Sequence, residues 1–271
     1  ITAPHIGSDY VLYDNPIFDM SKLKSAHAIK ITATKGDAQY TYSKDIMDVY
    51  KSYMASANLY GSTNTNPRAK FRFSGGLEVA FSGVESTELT KFYYKYYHFL
   101  NQYYIIIQED SASLREMLSD SFKSDLLSMS ANQLFAKYGT HYIKSLAMGA
   151  RLEMNYTLNS TETLETDKWG YALNAHLKAL RVSANFESEG SFEELLKTTN
   201  ITYKFNAHHV GGKQISLMSE DEIKNNYAGW ADSIEKFPAF CGTVNDNSFV
   251  PIWTLLSDES SDRAAELETC R

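Results

Sequence analysis

Cysteine is scarce in this chain: Cys241 and Cys270 are the only two among 271 residues. They lie too far apart to form a Cys-x-x-Cys motif, which excludes the redox and metal motifs built on that spacing. The pair leaves two readings open, a single disulfide of the kind secreted proteins carry or two free thiols. Long apolar runs are missing as well. No stretch of about eighteen uninterrupted apolar residues occurs, so no transmembrane helix is expected. Ile1 opens the chain without the basic segment and apolar core of a secretory leader, and the sequence reads as a mature protein or an excised domain. Positive charge is in deficit, with 26 Lys and Arg against 33 Asp and Glu and a net charge of −7 at pH 7. A general attraction to nucleic acid is thereby excluded, and an acidic lipid surface would be repelled on average unless a local patch overrode the field. Gly-x-Ser-x-Gly and phosphate-loop motifs are also missing. No internal repeat, low-complexity block or linker divides the chain, so a single domain over 1–271 is expected.

Aromatic residues, by contrast, are abundant. They form 13% of the chain, with nineteen tyrosines, which favours extensive β-structure or interfaces. Residues 26–34 are strand-like. Over 48–60, Val49, Lys51, Tyr53, Ala55, Ala57 and Leu59 alternate with a second set, and this is read as a first long strand with a helix as its rival. A loop follows over 61–67. Phe71, Phe73, Leu77, Val79 and Phe81 then alternate with polar residues. Residues 90–108 are rich in aromatic and β-branched side chains and form a second long strand. Serines and aspartates placed as caps mark helices over 111–138. A third strand runs from His141 to about Leu158. A fourth covers 199–210, with Ile201, Tyr203, Phe205 and Ala207 on one side, and stops at Gly211-Gly212. Ser219 opens a helix that ends before Pro238. Residues 250–256 are extended, and 257–271 close the chain as a helix.

The junction at 133–149 organises the rest. Its spacing is helical up to Tyr138 and strand-like after it, with Gly139 at the switch, where a glycine lets a helix end. The core reads Tyr138-Gly139-Thr140-His141-Tyr142. This resembles the aromatic-Gly-Thr-His-aromatic signature of the membrane attack complex/perforin (MACPF) family at all five positions. The family's upstream Tyr is replaced by Ala131. Four long strands, with one segment between the first and second, helices between the second and third, and another segment between the third and fourth, are similar to the family layout.

The resemblance implies an α+β fold: a bent, twisted four-stranded antiparallel sheet flanked by helices and two helical clusters. It implies a secreted, soluble pore-forming protein, which assembles as a homo-oligomeric ring or arc on a target membrane through lipid or a receptor. Segments 62–88 and 161–198 would become β-hairpins. No enzymatic activity, cofactor, metal or nucleic-acid partner is expected. A non-lytic adhesion or recognition protein on the same fold is the alternative, and a hydrolase with an unrecognised site is the rival from another class. In a secreted chain the isolated pair Cys241 and Cys270 is expected to be disulfide-bonded. Gly211 and Gly212 are similar to the family's hinge, and Gly212→Val is expected to leave the fold largely intact.

The second segment carries the physical pattern of a hairpin. Trp169, Tyr171, Leu173 and Leu177 alternate with polar or small residues. The phase slips near Lys178, and Leu180, Val182 and Phe186 alternate in turn. Barrel strands need about 9–11 residues each. In a hairpin these seven, with Phe71, Phe73, Leu77, Val79 and Phe81 of the first segment, would face lipid. Lys168, Asn174, His176, Arg181 and Asn185 would face the lumen. Leu173, Leu177, Leu180 and Ala184 also share a helical face, so the same residues suit a helix before insertion. His208 and His209 point to opposite faces of a strand and do not converge on a metal. His141 is read as a structural hydrogen-bonding residue. The sequons at Asn155, Asn159 and Asn200 fall on strands or their ends, where glycosylation is not expected.

Overall fold

A computed structural model describes residues 16–19, 21–23, 28–33, 38–56, 90–161, 163–182, 192–256 and 260–270. The segment 62–88, with Phe71, Phe73, Leu77, Val79 and Phe81, lies outside the described residues, as does Phe186. In chain order the elements are β1 (Ala28–Thr32), β2 (Ala38–Ser43), α1 (Ile46–Ser56), β3 (Thr90–Ile107), α2 (Ser111–Glu116), α3 (Asp120–Ser128) and α4 (Ala131–Tyr138). They continue with β4 (His141–Ile143), β5 (Ser145–Ser160), α5 (Thr166–Val182), α6 (Phe192–Thr198), β6 (Ile201–Val210), α7 (Glu220–Asp232), β7 (Ala239–Thr243), β8 (Phe249–Pro251) and α8 (Ser261–Thr269). The fold is α+β, with an antiparallel sheet flanked by helices.

Contacts divide the chain into two units, one of 34–102 with 148–242 and one of 2–33 with 103–147 and 243–271. Among the described residues the main sheet has six strands in the order β1-β3-β5-β6, with β2 also paired to β3 and β7 to β5. In the first unit β2 runs antiparallel to β3, Ser43 opposite Tyr93, and β5 antiparallel to β6, Ser160 opposite Ile201.

The sheet of the first unit has two chemically distinct faces. Phe92, Tyr94, Tyr96, Leu152, Met154, Tyr156 and Leu158 alternate onto one face and form a core with Trp169, Leu173 and Leu177 of α5 and Trp230 of α7. Tyr40, Tyr42, Tyr94 and Phe92 stack there at centroid distances of 5.7–6.2 Å. The intervening positions carry Lys95, Arg151, Glu153, Asn155 and Thr157, all buried. Glu153 hydrogen-bonds to Tyr53, placing α1 on that polar face.

Helix α1 corrects the expectation of a strand over 48–60. Asp45 accepts from the Met47 N–H at 2.8 Å and starts the helix. Val49 and Tyr53, four residues apart, are both fully buried. The same positions fit a period of two, and the cap and the spacing of four decide for the helix. The strand positions beside β3 are filled instead by β1 and β2.

The expected strands over 90–108, from His141 and over 199–210 are present as β3, β4 with β5, and β6. The helices expected over 111–138 are α2, α3 and α4, and those after Ser219 and at the C-terminus are α7 and α8. The run 250–256 is extended only through Pro251. Thr254 then donates to the Pro251 carbonyl at 2.7 Å and closes a 3-10 turn over Ile252–Leu255.

Candidate functional site

The signature residues all lie in the second unit and act as a structural knot. Helix α4 opens on a reciprocal cap between Ser130 and Gln133 and ends at Gly139, whose φ of 79° favours glycine. The Gly139 N–H donates to the Phe135 carbonyl at 2.9 Å. Tyr138 donates its hydroxyl to Asp125 at 2.6 Å, and Lys137 reaches the same oxygen at 2.6 Å. Those hydrogen bonds hold the Asp125 carboxyl below its ordinary value. Thr140 Oγ1 lies 2.9 Å from His141 Nδ1, and the Thr140 carbonyl accepts from Ile252. The His141 ring meets Trp253 edge-on at 5.7 Å, and the buried Tyr142 meets Phe18 at 5.5 Å. His141 is thus engaged by the Thr140 hydroxyl and the Trp253 ring.

Helix α5 is the candidate moving part. It begins with Asp167 in its first turn and ends with Arg181 in its last, charges matched to the helix dipole. Trp169, Leu173, Leu177 and Leu180 are buried on one stripe, while Tyr171 is 64% exposed on the other side. The expected lipid-facing set is therefore split in the helical form, as a change of period from 2 to 3.6 requires. Each fully buried Leu contributes roughly 1.5–3 kcal/mol to docking. Val182 is the last helical residue.

Polar contacts fasten the helix at three places. Tyr42 donates to Asp167 Oδ1 at 3.0 Å, and burial, with Asp167 beside it, pushes the tyrosine hydroxyl up to about 12. Gly170 lies so close to the Tyr42 ring that an added Cβ would fall 2.5 Å from it. His176 is 3.0 Å from Glu193 Oε1 on α6 and 3.4 Å from Glu220 Oε2 on α7. Tyr156 hydrogen-bonds to Glu220. Burial raises the Glu220 carboxyl, but His176 and Tyr156 outweigh it and leave it below its ordinary value. Arg181 lies over the Tyr96 and Tyr227 rings at 5.0 and 5.8 Å. Of the expected lumen set, Lys168 is exposed, Asn174, His176 and Arg181 are half-buried, and Asn185 lies outside the described residues.

The glycine pair follows β6 directly. Gly211 and Gly212 have φ of 74° and 73°. A Cβ on Gly211 would lie 2.2 Å from the Gly149 carbonyl, and one on Gly212 would lie 2.5 Å from Trp230 Nε1. The indole N–H donates to the Gly211 carbonyl at 2.8 Å. This geometry overturns the expectation that Gly212→Val leaves the fold intact. The substitution places a β-branched residue at positive φ and drives it into a fully buried Trp. We expect it to lower the melting temperature by roughly 6–12 °C, for a cost on the order of 3 kcal/mol, measured by circular dichroism; a wild-type melting curve would refute this.

Cys241 and Cys270 are not joined by a disulfide, which corrects the expected pairing. Cys241 is buried and donates its thiol to Asn101 Oδ1 at 3.3 Å, whereas Cys270 is exposed. His208 and His209 diverge as their strand positions require. His208 stands opposite Glu153, and His209 meets Trp230 at 5.8 Å. Among the described residues no group of three His, Cys, Asp or Glu is placed to hold a metal. No helix there is long and apolar enough to cross a membrane.

One feature is missing from the sequence reading. Lys95, Glu153 and Arg151 form a buried ion cluster beneath α1. Lys95 pairs with Glu153 and donates to Asn155 at 3.2 Å. Arg151 Nε lies 2.8 Å from Glu153, and its Nη1 donates to the Cys241 carbonyl at 3.1 Å. Tyr53 of α1 donates to Glu153 Oε1 at 2.7 Å, and Lys95 stands 4.2 Å over the Tyr53 ring. The visible signal was the run Arg151, Glu153, Asn155, Thr157, polar at every second position of a strand paired on both sides.

Residues 28–268 match the family model of the MAC/Perforin domain, and the chain belongs to that family. Among solved structures it is similar to GNIP1Aa from Chromobacterium piscinae, with 23% identity, a TM-score of 0.66, and coverage of 90% of this chain and 46% of that one. It is also similar to a protein from Bacteroides thetaiotaomicron described as a cell invasion protein with a MAC/Perforin domain, with 15% identity, a TM-score of 0.63, and coverage of 93% and 54%. The chain spans about half the length of these two structures. No curated protein matches the sequence.

Proposed function

We propose that this chain is the pore-forming module of a MAC/Perforin protein. In this reading it reaches a target membrane as a secreted protein, through lipid or a receptor, and assembles there as a homo-oligomeric ring or arc. It inserts segments 62–88 and 161–198 as β-hairpins. Its work is non-covalent, with no catalytic step, cofactor or nucleic acid. One observation carries the reading. Ser160 and Ile201 are cross-strand partners, and so are Ser43 and Tyr93. The residues between each pair therefore bridge adjacent antiparallel strands, and unrolling either connection lengthens an existing ladder in register. Continued pairing satisfies the backbone groups that a bilayer leaves without water. The signature knot in the second unit supports a scaffold role, and the glycine pair after β6 marks where curvature would change.

Dye-loaded liposomes containing a nickel-chelating lipid test this with a terminally His-tagged chain, because attachment then needs no separate targeting domain. Release that rises with protein density, with ring or arc particles in micrographs, is expected. Saturated attachment without release would remove the pore reading and leave the adhesion or recognition reading.

A further inference from the structure

We propose that the buried Lys95–Glu153–Arg151 cluster is a release element for α1: it makes departure of that helix from the sheet easier, because departure returns three buried charges to water. The inference rests on the pore-forming reading above and extends it to the segment that precedes 62–88. Three observations carry it. Lys95, Glu153 and Arg151 are 0%, 1% and 6% exposed, so this sheet face is charged yet buried. Such ions lose hydration that their mutual attraction only partly returns, and matched apolar side chains often give an equally stable or more stable site. Helix α1 contributes to their enclosure through Tyr53, which is fully buried, donates to Glu153 and lies under the Lys95 ammonium.

The second observation is topological. Helix α1 lies inside the connection between Ser43 and Tyr93, which face each other across the β2–β3 ladder. It cannot stay docked if that connection unrolls from its base. The third is the contrast with α5, which is held on the aromatic face by a stripe of buried apolar side chains. The two helices thus rest on opposite faces: α5 sets an apolar stripe, with polar ties beside it, into an aromatic core, while α1 buries Val49 and Tyr53 and ties the Tyr53 hydroxyl to a charged cluster. Water strengthens the docking of the first and competes for the charges beneath the second. Membrane contact that loosens α1 would therefore be reinforced by hydration of the face it leaves.

Two variants with opposite expected signs test this. Replacing the cluster with apolar side chains of similar length, Lys95→Met with Glu153→Leu and Arg151→Met, is expected to slow amide hydrogen exchange in α1 and to slow dye release about tenfold or more. Tyr53→Phe removes only the hydroxyl that ties α1 to Glu153. A hydrogen bond to a charged group is worth about tenfold in an opening equilibrium, so exchange in α1 is expected to rise about tenfold and dye release to accelerate. Unchanged or slower α1 exchange in Tyr53→Phe overturns the proposal, as does a folded triple variant that releases dye at the wild-type rate. If the triple variant does not fold, Tyr53→Phe decides alone. Exchange is read without membranes. A wild-type chain that releases no dye would therefore sink the pore reading while this measurement still judged the cluster.

Discussion

Joining cysteines at Tyr42 and Asp167 with a short cleavable crosslinker is expected to abolish dye release and leave membrane attachment unchanged. The two side chains meet at 3.0 Å, one on β2 and one in the first turn of α5, so the link closes in the folded chain. The background is manageable. Cys270 is exposed and is replaced by Ser, while burial pushes the Cys241 thiol up to about 12 and keeps it unreactive. If α5 must leave the sheet to become a hairpin, a covalent tie at its N-terminal end blocks insertion in every subunit. Cleaving the link should restore release on the same liposomes, which separates a locked helix from a damaged protein. Undiminished release from fully crosslinked protein would show that this helix stays docked. Charge insertion at Leu173 is a poorer probe. Arg there would meet hydrocarbon in a hairpin at roughly 2–4 kcal/mol near the midplane, but Leu173 is fully buried here, so the folded chain would fail first.

Glu153→Gln is expected to destabilise the chain by about 3–5 kcal/mol, because it leaves Lys95 and Arg151 buried without a counter-charge. For a chain of this size that lowers the melting temperature by roughly 6–20 °C. The same group governs acid stability. Burial alone would raise the Glu153 carboxyl, but the Lys95 ammonium and the Arg151 guanidinium outweigh it and hold it down at about 2. A depressed carboxyl contributes stability above its unfolded value of about 4.3 and loses it as pH falls towards the folded value. Between about pH 4.3 and 2 the wild type should therefore lose about 3 kcal/mol through this group. Glu153→Gln should lack that part of the acid limb. Urea titrations at several pH values would show it, and parallel acid limbs in the two proteins would contradict the assignment.

The strands that carry the first unit were legible because their alternation is strict. Phe92, Tyr94 and Tyr96 on β3 and Leu152, Met154 and Tyr156 on β5 share one face in the sequence as in the fold. The signature was legible because Gly139 stands where helical spacing gives way to strand-like spacing, and its φ of 79° ends the helix there. Helix α1 was not, because Val49 and Tyr53 satisfy both periods and Asp45, one residue before the helix start, decides. The unlinked pair Cys241 and Cys270 and the ion cluster were illegible for a different reason. Lys95 and Glu153 meet across two strands, and nothing local tells a buried lysine from a solvated one. The tight approach of Gly212 to Trp230 likewise joins an element end to the next helix, and only the packed structure shows that this glycine leaves no room for a side chain.

The two units are interleaved along the chain, each interrupted by the other. That arrangement sets the order in which the protein can be made. Strand β1 pairs with the far end of β3, and Trp253, Leu255 and Leu267 complete the core that Ile17 and Phe18 begin. A chain emerging from the ribosome therefore cannot finish one unit before starting the next. Until synthesis has passed β5 and α7, the aromatic strand β3 is displayed without all its partners. Folding becomes a late, whole-chain event of high contact order, and a nascent or truncated chain is a natural client for chaperones.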